Sequence, residues 1–310
     1  MSKKIKQKNP ITMKELKRQK FLLIMAAIFV VYGFIFCYLP LGGWITAFQN
    51  YKPQNGLLHS KLVGFQKFQT LFSDAVFIKV IRNTLAMGII NLVTSFVMAI
   101  LFAILLNEVK TNIVKKPIQT ISYLPHFLSW IIVAGILHDA LAVSGIINEL
   151  LMKFNFVDSP VNFFAHKAYF WPIVAFANLW KETGWNAIIY LSAITAIDTA
   201  LYEAASIDGA GRWAKIKYIT LPGIKPTIMI LLLMNVGNVL NAGFEVQYLL
   251  GNGLVKAVSE TIDIYVLKWG ISKSDYSLGT AAGIFKSAVS IALVVIANNI
   301  ASRKGEERLF

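Results

Sequence analysis

From Val80 to Leu106 the sequence carries a single charge, Arg82, close to its start. A stretch of this length and polarity is what a helix needs to cross the roughly 30 Å of hydrocarbon in a bilayer. Further apolar stretches follow the same rule at 21–48, 118–138, 169–192, 224–249 and 281–301. In lipid every backbone N–H and C=O must be satisfied inside the protein, so spans are helices or closed barrels. The two-residue alternation of barrel strands is absent. The expected fold is therefore an all-α membrane protein with six transmembrane helices. Composition agrees, with 56% hydrophobic and 15% charged residues, where a soluble domain has about 45–50% and about 25%. The 13% of aromatic residues also argues against a disordered chain.

The opening MSKKIKQKNPITMKELKRQK holds eight basic residues and one acid before the apolar run begins. That order imitates a signal peptide. The run continues past Leu39 with no small-residue cleavage pattern, so an uncleaved first span is expected. Residues 1–20 then form a basic cytoplasmic tail and 21–310 the membrane domain.

The formal net charge of +14 would suggest nucleic acid in a soluble protein. Here its distribution reports topology instead, and no nucleic-acid partner is expected. The two tails with the 107–117 and 193–223 loops, Lys225 included, hold 18 of the 30 Lys and Arg; the three other connections hold nine. Positive residues stay inside, so both termini are expected in the cytoplasm. The external connections are long. SGIINELLMKF within 139–168 and TIDIYVLKWG within 250–280 each read as a short helix.

The 193–223 segment, AITAIDTALYEAASIDGAGRWAKIKYITLPG, is the most informative. It has helix-forming stretches on both sides of Gly209-Ala210-Gly211, with Asp198 or Thr199 placed to cap the first. Leu221-Pro222 is expected to turn the chain back into the membrane. Glu203-Ala204-Ala205, then Gly209, Ile219 and Leu221-Pro222 resemble the EAA motif of permease subunits of binding-protein-dependent ABC importers. Seven fixed residues in 20 positions arise by chance at roughly one in 10⁸ starting points. WKETGWNAIIYLSAI, IDGAGRW, NVGNVLNAGFE and Phe285-Lys286-Ser287 resemble the carbohydrate-type permeases, within the subgroup linked to polysaccharide, uronate or oligosaccharide uptake.

The resemblance implies a type I ABC importer permease fold in a bacterial cytoplasmic membrane. It also implies a second, similar permease, an extracytoplasmic solute-binding protein and two ATPase subunits that bind ATP and Mg, with no cofactor in this chain. The 193–223 loop would couple to the ATPase through Glu203, Ala204, Ala205, Asp208, Gly209, Gly211, Arg212, Leu221 and Pro222. Small alanines allow close approach, Glu203 can meet a basic group, and the glycines set the angle between two short helices.

Polar residues within spans usually face a cavity or a partner helix. On a helical wheel Asn178, Lys181, Glu182 and Trp185 share an arc of about 100°, and Asn235, Asn238, Asn241 and Glu245 one of about 120°. These stripes, with Lys286, are the candidate solute pathway; amides suit sugar hydroxyls and indole rings their C–H faces. The same asparagines could instead bridge helices. An unneutralised Lys181 or Lys286 would favour an acidic sugar, unless Lys181 pairs with Glu245 or Glu182.

Other chemistry is disfavoured. Gly279-x-x-x-Gly283-x-x-Lys286-Ser287 is a poor match to a phosphate loop and reads better as a close-packing helix surface. His59, His126, His138 and His166 lack metal-ligand spacing. Cys37, the sole cysteine, allows no disulfide and is expected to be buried and inert. No catalytic constellation stands out, so the chain is not expected to be an enzyme. The alternative is a secondary transporter or channel with Lys181, Glu182 and Glu245 as a charge relay. It would require inverted repeats and helices broken at mid-membrane, neither of which is evident in the sequence.

Overall fold

The computed structural model describes residues 17–309. Most of the expected basic tail lies outside the described residues. Helix α1 (Lys20–Gly33) continues through a π turn (Phe34–Tyr38) and a 3-10 segment (Leu39–Phe48). It is apolar all round and buries none of its residues against the chain. Only at the far end do Thr46 and Ala47 reach the core. A short excursion follows: β1 (Gln49–Asn50), α2 (Gly56–His59) and β2 (Lys61–Leu62). Its strands pair antiparallel, Gln49 opposite Leu62.

After α3 (Gln66–Ser73) comes α4 (Ala75–Glu108), whose 34 residues measure about 51 Å. Asp74 starts it by accepting the Val76 N–H at 2.8 Å. Helix α5 (Asn112–Tyr123) passes through a 3-10 turn (Leu124–Phe127) to α6 (Trp130–Ala140). Then come α7 (Ile146–Lys153), α8 (Lys167–Thr195), α9 (Thr199–Ile207) and α10 (Arg212–Lys215). A π turn (Ile216–Thr220) leads into α11 (Leu221–Gly237), followed by α12 (Phe244–Leu250) and α13 (Lys256–Ser259). Helix α14 (Ile262–Tyr265) runs into a π turn (Val266–Ser272), and α15 (Tyr276–Arg303) closes the fold. The short helices expected in the external loops are α7 and α14.

Among the described residues four helical stretches are long and apolar enough to cross a membrane: Lys20–Phe48, Ala75–Glu108, Arg212–Gly237 and Tyr276–Arg303. Two bent pairs bring the number to six when each counts as one span.

Three expectations need correction. The 118–138 span is not one helix: Asn112–Phe127 and Trp130–Ala140 meet at 101°. The break has local causes. Pro125 opens a 3-10 turn, and Ser129 caps a new helix by accepting the Ile132 N–H at 3.3 Å. The 224–249 span ends at Gly237, and an irregular segment precedes α12. Gly243, at φ 82°, makes the left-handed step into α12. Broken helices are therefore present. Finally, Leu221-Pro222 does not turn the chain, because Arg212–Gly237 runs as one 26-residue stretch. The Leu221 N–H bonds back five residues to Ile216 O, shifting the ladder just before the residue that has no N–H to donate.

Helices α4 and α8 form the spine. Met87 packs with Val174 and Ala177, and Ala99 and Ala103 with Ala187 and Tyr190. Glycines permit two closer approaches. A Cβ on Gly88 would stand 1.8 Å from Val239 O, and one on Gly184 2.1 Å from Ser122 O. The expected Gly279/Gly283 surface is half realised. Gly279 lies against Gly270, but nothing lies within 4 Å of a Cβ on Gly283. Cys37, expected to be buried, is exposed on α1.

Candidate functional site

The loop after α8 folds as two short helices about a glycine corner. Asp198 caps α9 by accepting the Ala200 N–H at 2.9 Å. Gly209 has φ 76°, a conformation that suits glycine, and no neighbour within 4 Å of a Cβ there. Glu203, Ala204 and Asp208 are exposed, while Ala205 is half-buried. Ile207 and Trp213 project with relative exposures of 87% and 83%. Arg212 approaches Glu108, at the end of α4, to 3.9 Å. The loop is braced on the helix that follows it. The Tyr202 and Thr220 hydroxyls lie 2.9 Å apart, and Lys215 Nζ donates to Ser206 Oγ at 2.6 Å.

A polar cavity of about 220 Å³ lies between α4, α8 and α11. Its lining includes Glu182, Asn235, Asn238 and Asn241. The broken helix brings the amides in differently from the wheel. Asn241 reaches the cavity through the irregular segment and donates to Asn238 Oδ1 at 3.0 Å. Asn91, Ser95, Asn186 and Tyr190 line it too. Asn91 and Ser95 escaped notice because they are uncharged residues, with Thr94, within a long apolar run. A search of α4 for polar residues one turn apart would have found them.

Asn178 stands behind the cavity and donates to Asn91 Oδ1 at 3.3 Å. Glu245 lies elsewhere, in a cleft of about 480 Å³ that it lines with Trp130, Lys181, Phe244 and Tyr248. Trp185 stacks on the His126 ring, with centroids 4.4 Å apart and planes at 2°.

Neither lysine is unneutralised. Lys286 donates to both carboxylate oxygens of Asp263, at 2.6 and 2.8 Å, tying α15 to α14. Lys181 is only 5% exposed. Its ammonium lies 3.5 Å from Glu182 Oε1 and donates to His126 O at 2.5 Å, caught in the break of the third span. Of the two partners considered from sequence, Glu182 takes the ion pair. The other Glu182 oxygen lies 2.8 Å from His126 Nδ1. A carboxylate can only accept, so Nδ1 carries the proton. His126, set aside for want of metal spacing, thus helps hold the one carboxylate in the cavity lining.

A helical bundle with two interrupted spans, a polar cavity between its helices and a braced amphipathic loop defines a membrane permease for a polar solute. Residues 95–305 match the family described as "Binding-protein-dependent transport system inner membrane component", and the chain belongs to that family. It is 42% identical over 306 residues to the Bacillus subtilis (strain 168) "Polygalacturonan/rhamnogalacturonan transport system permease protein YteP", covering 98% of this chain and 95% of that one. It is 40% identical over 299 residues to "Protein LplB" of the same organism, covering 96% and 93%. A crystal structure of a bacterial ABC transporter involved in the import of the acidic polysaccharide alginate superposes with TM-score 0.86 at 38% identity, covering 94% of this chain and 98% of that one. The chain is thus a non-catalytic, multi-pass permease subunit of an ABC importer in the inner membrane. A self-powered carrier is not what this family provides.

Proposed function

We propose that this permease imports acidic oligosaccharides, released from uronate-containing polymers, that an extracytoplasmic binding protein delivers. One observation carries the reading. Across nearly the whole chain, identity stays at 38–42% with relatives whose names specify polygalacturonan/rhamnogalacturonan and the acidic polysaccharide alginate. The alginate importer is also known in complex with an alginate pentasaccharide-bound periplasmic protein, at 39% identity to this chain. The permease pairs with a second homologous permease, and two ATPase subunits supply ATP and Mg chemistry. Both termini face the cytoplasm, with 1–20 as a basic tail and 21–310 as the permease domain.

The proposed pathway runs through the cavity lined by Glu182, Asn235, Asn238 and Asn241. Among the described residues the Asn235 side-chain amide donates to the Leu231 carbonyl, at 2.8 Å, which leaves hydrogen-bonding capacity for sugar hydroxyls. Coupling runs through α9 and the glycine corner, where Glu203, Ile207 and Trp213 give an exposed acidic and apolar face suited to a cleft on the ATPase. The test is uptake by the assembled complex in proteoliposomes, with trigalacturonate set against a neutral trisaccharide. Saturable, ATP-dependent and binding-protein-dependent uptake of trigalacturonate is expected. Transport of the neutral sugar alone would overturn the acidic assignment.

A further inference from the structure

The polar cavity presents a contradiction if acidic sugars pass through it. Its lining is built from amides, hydroxyls and apolar side chains, with one charged member, Glu182. Among the described residues no Lys, Arg or His lines it. A bare carboxylate between helices would repel an anionic solute strongly, because the interior screens charge poorly.

The geometry removes the contradiction from behind the lining. Each Glu182 oxygen has its own partner: Oε1 faces Lys181 Nζ at 3.5 Å, and Oε2 accepts from His126 Nδ1–H at 2.8 Å. Both partners are fixed. The Lys181 ammonium is anchored on the His126 carbonyl at 2.5 Å and stands 5.4 Å from the centre of the Trp130 ring. The His126 ring is sandwiched to Trp185 at 4.4 Å. Lys181 lines the separate cleft with Glu245 and is absent from the polar cavity. It can act on a solute there only through Glu182.

We propose that Lys181 is a specificity-determining positioning residue that neutralises Glu182 and so lets carboxylate-bearing saccharides enter the cavity. The proposal rests on the acidic-substrate reading above. It differs from direct capture by a cationic side chain, since the lysine never meets the sugar. It predicts that removing the carboxylate compensates in full for removing the lysine, whereas under direct capture the loss of the lysine contact itself should persist.

The experiment measures uptake of trigalacturonate and of its neutral methyl ester by the complete complex in proteoliposomes, read as a ratio. Lys181→Gln should lower the acidic-to-neutral ratio about tenfold, the size of one poorly screened charge contact. Lys181→Gln combined with Glu182→Gln should return the ratio to the wild-type value or above. Equal loss of both sugars in Lys181→Gln, or a double variant as selective against acid as the single one, overturns the proposal. Should Lys181→Gln fail to insert, Glu182→Gln alone decides: the ratio should rise, and an unchanged or lower ratio overturns it. If the wild-type complex takes up the ester and not trigalacturonate, the acidic-substrate reading fails and this proposal falls with it. A wild-type complex that takes up both, with variants that ignore charge, sinks the neutralisation alone.

Discussion

At Gly184 the bundle has no room for one more carbon. A Cβ there would lie 2.1 Å from the Ser122 carbonyl, and backbone cannot swing aside as a flexible side chain can. Gly184→Val should force α8 away from α5 and cost about 1–3 kcal/mol, read as a lower melting temperature in detergent. Gly283→Val, with no neighbouring atom within 4 Å of the new Cβ, is the matched control and should not lower that temperature to the same extent. Nothing in the sequence separates these two glycines, because the difference belongs to partners 62 residues or more away in the chain. The same limit applies to Lys181. Its burial in a span was legible, but its neutralisation by Glu182 was open, since neighbours on one helix face different ways. Only the bend that brings His126 alongside resolves the arrangement.

Hydropathy located five of the six candidate spans to within about six residues at each end, because cost in lipid depends mainly on composition, and placed the fifth twelve residues too far along the chain. It could not say where an element breaks, since a window average carries no direction. The third span held its own clue in Pro125 and Ser129, a helix stop followed four residues later by a cap. The fifth misled in both directions: Pro222 was read as a turn and sits inside a helix, while Asn238–Gly243 was read as helix and is not. The stretch from Arg212 to Gly237 therefore joins the proposed coupling loop to the cavity as one rod of about 39 Å. Its footing is the Tyr202–Thr220 hydroxyl pair, with Thr220 buried. Tyr202→Phe and Thr220→Val should each lower solute moved per ATP hydrolysed, and the double variant should be no worse than Thr220→Val alone, because that change already removes the hydroxyl contact. Additive losses would place the two residues in separate roles.

For the molecule as a whole, the exposed surface of the proposed coupling loop contributes little to the bundle's own packing, so changes there should spare insertion. Glu203→Lys and Gly209→Val should abolish uptake and solute-stimulated ATP hydrolysis while leaving membrane insertion intact. Normal transport in both would refute the coupling assignment. The surplus of positive charge fits the same scale. On the proposed topology most of it marks sidedness, and Lys181 and Lys286, the two lysines that topology leaves over, are tied internally, to Glu182 and Asp263. Net charge was therefore a poor guide to substrate, and the resemblance to carbohydrate-type permeases carried by WKETGWNAIIYLSAI, IDGAGRW, NVGNVLNAGFE and Phe285-Lys286-Ser287 a better one.

Helix α1 has no buried residue of its own. Packing within this chain therefore places no demand on its sequence beyond apolarity. Leu, Ile, Val and Phe should be interchangeable along 21–38 as far as this chain's own folding goes, whereas Met87 or Phe170, fully enclosed, should tolerate almost nothing. An α1 as intolerant as those positions would be the imprint of another subunit pressed against it.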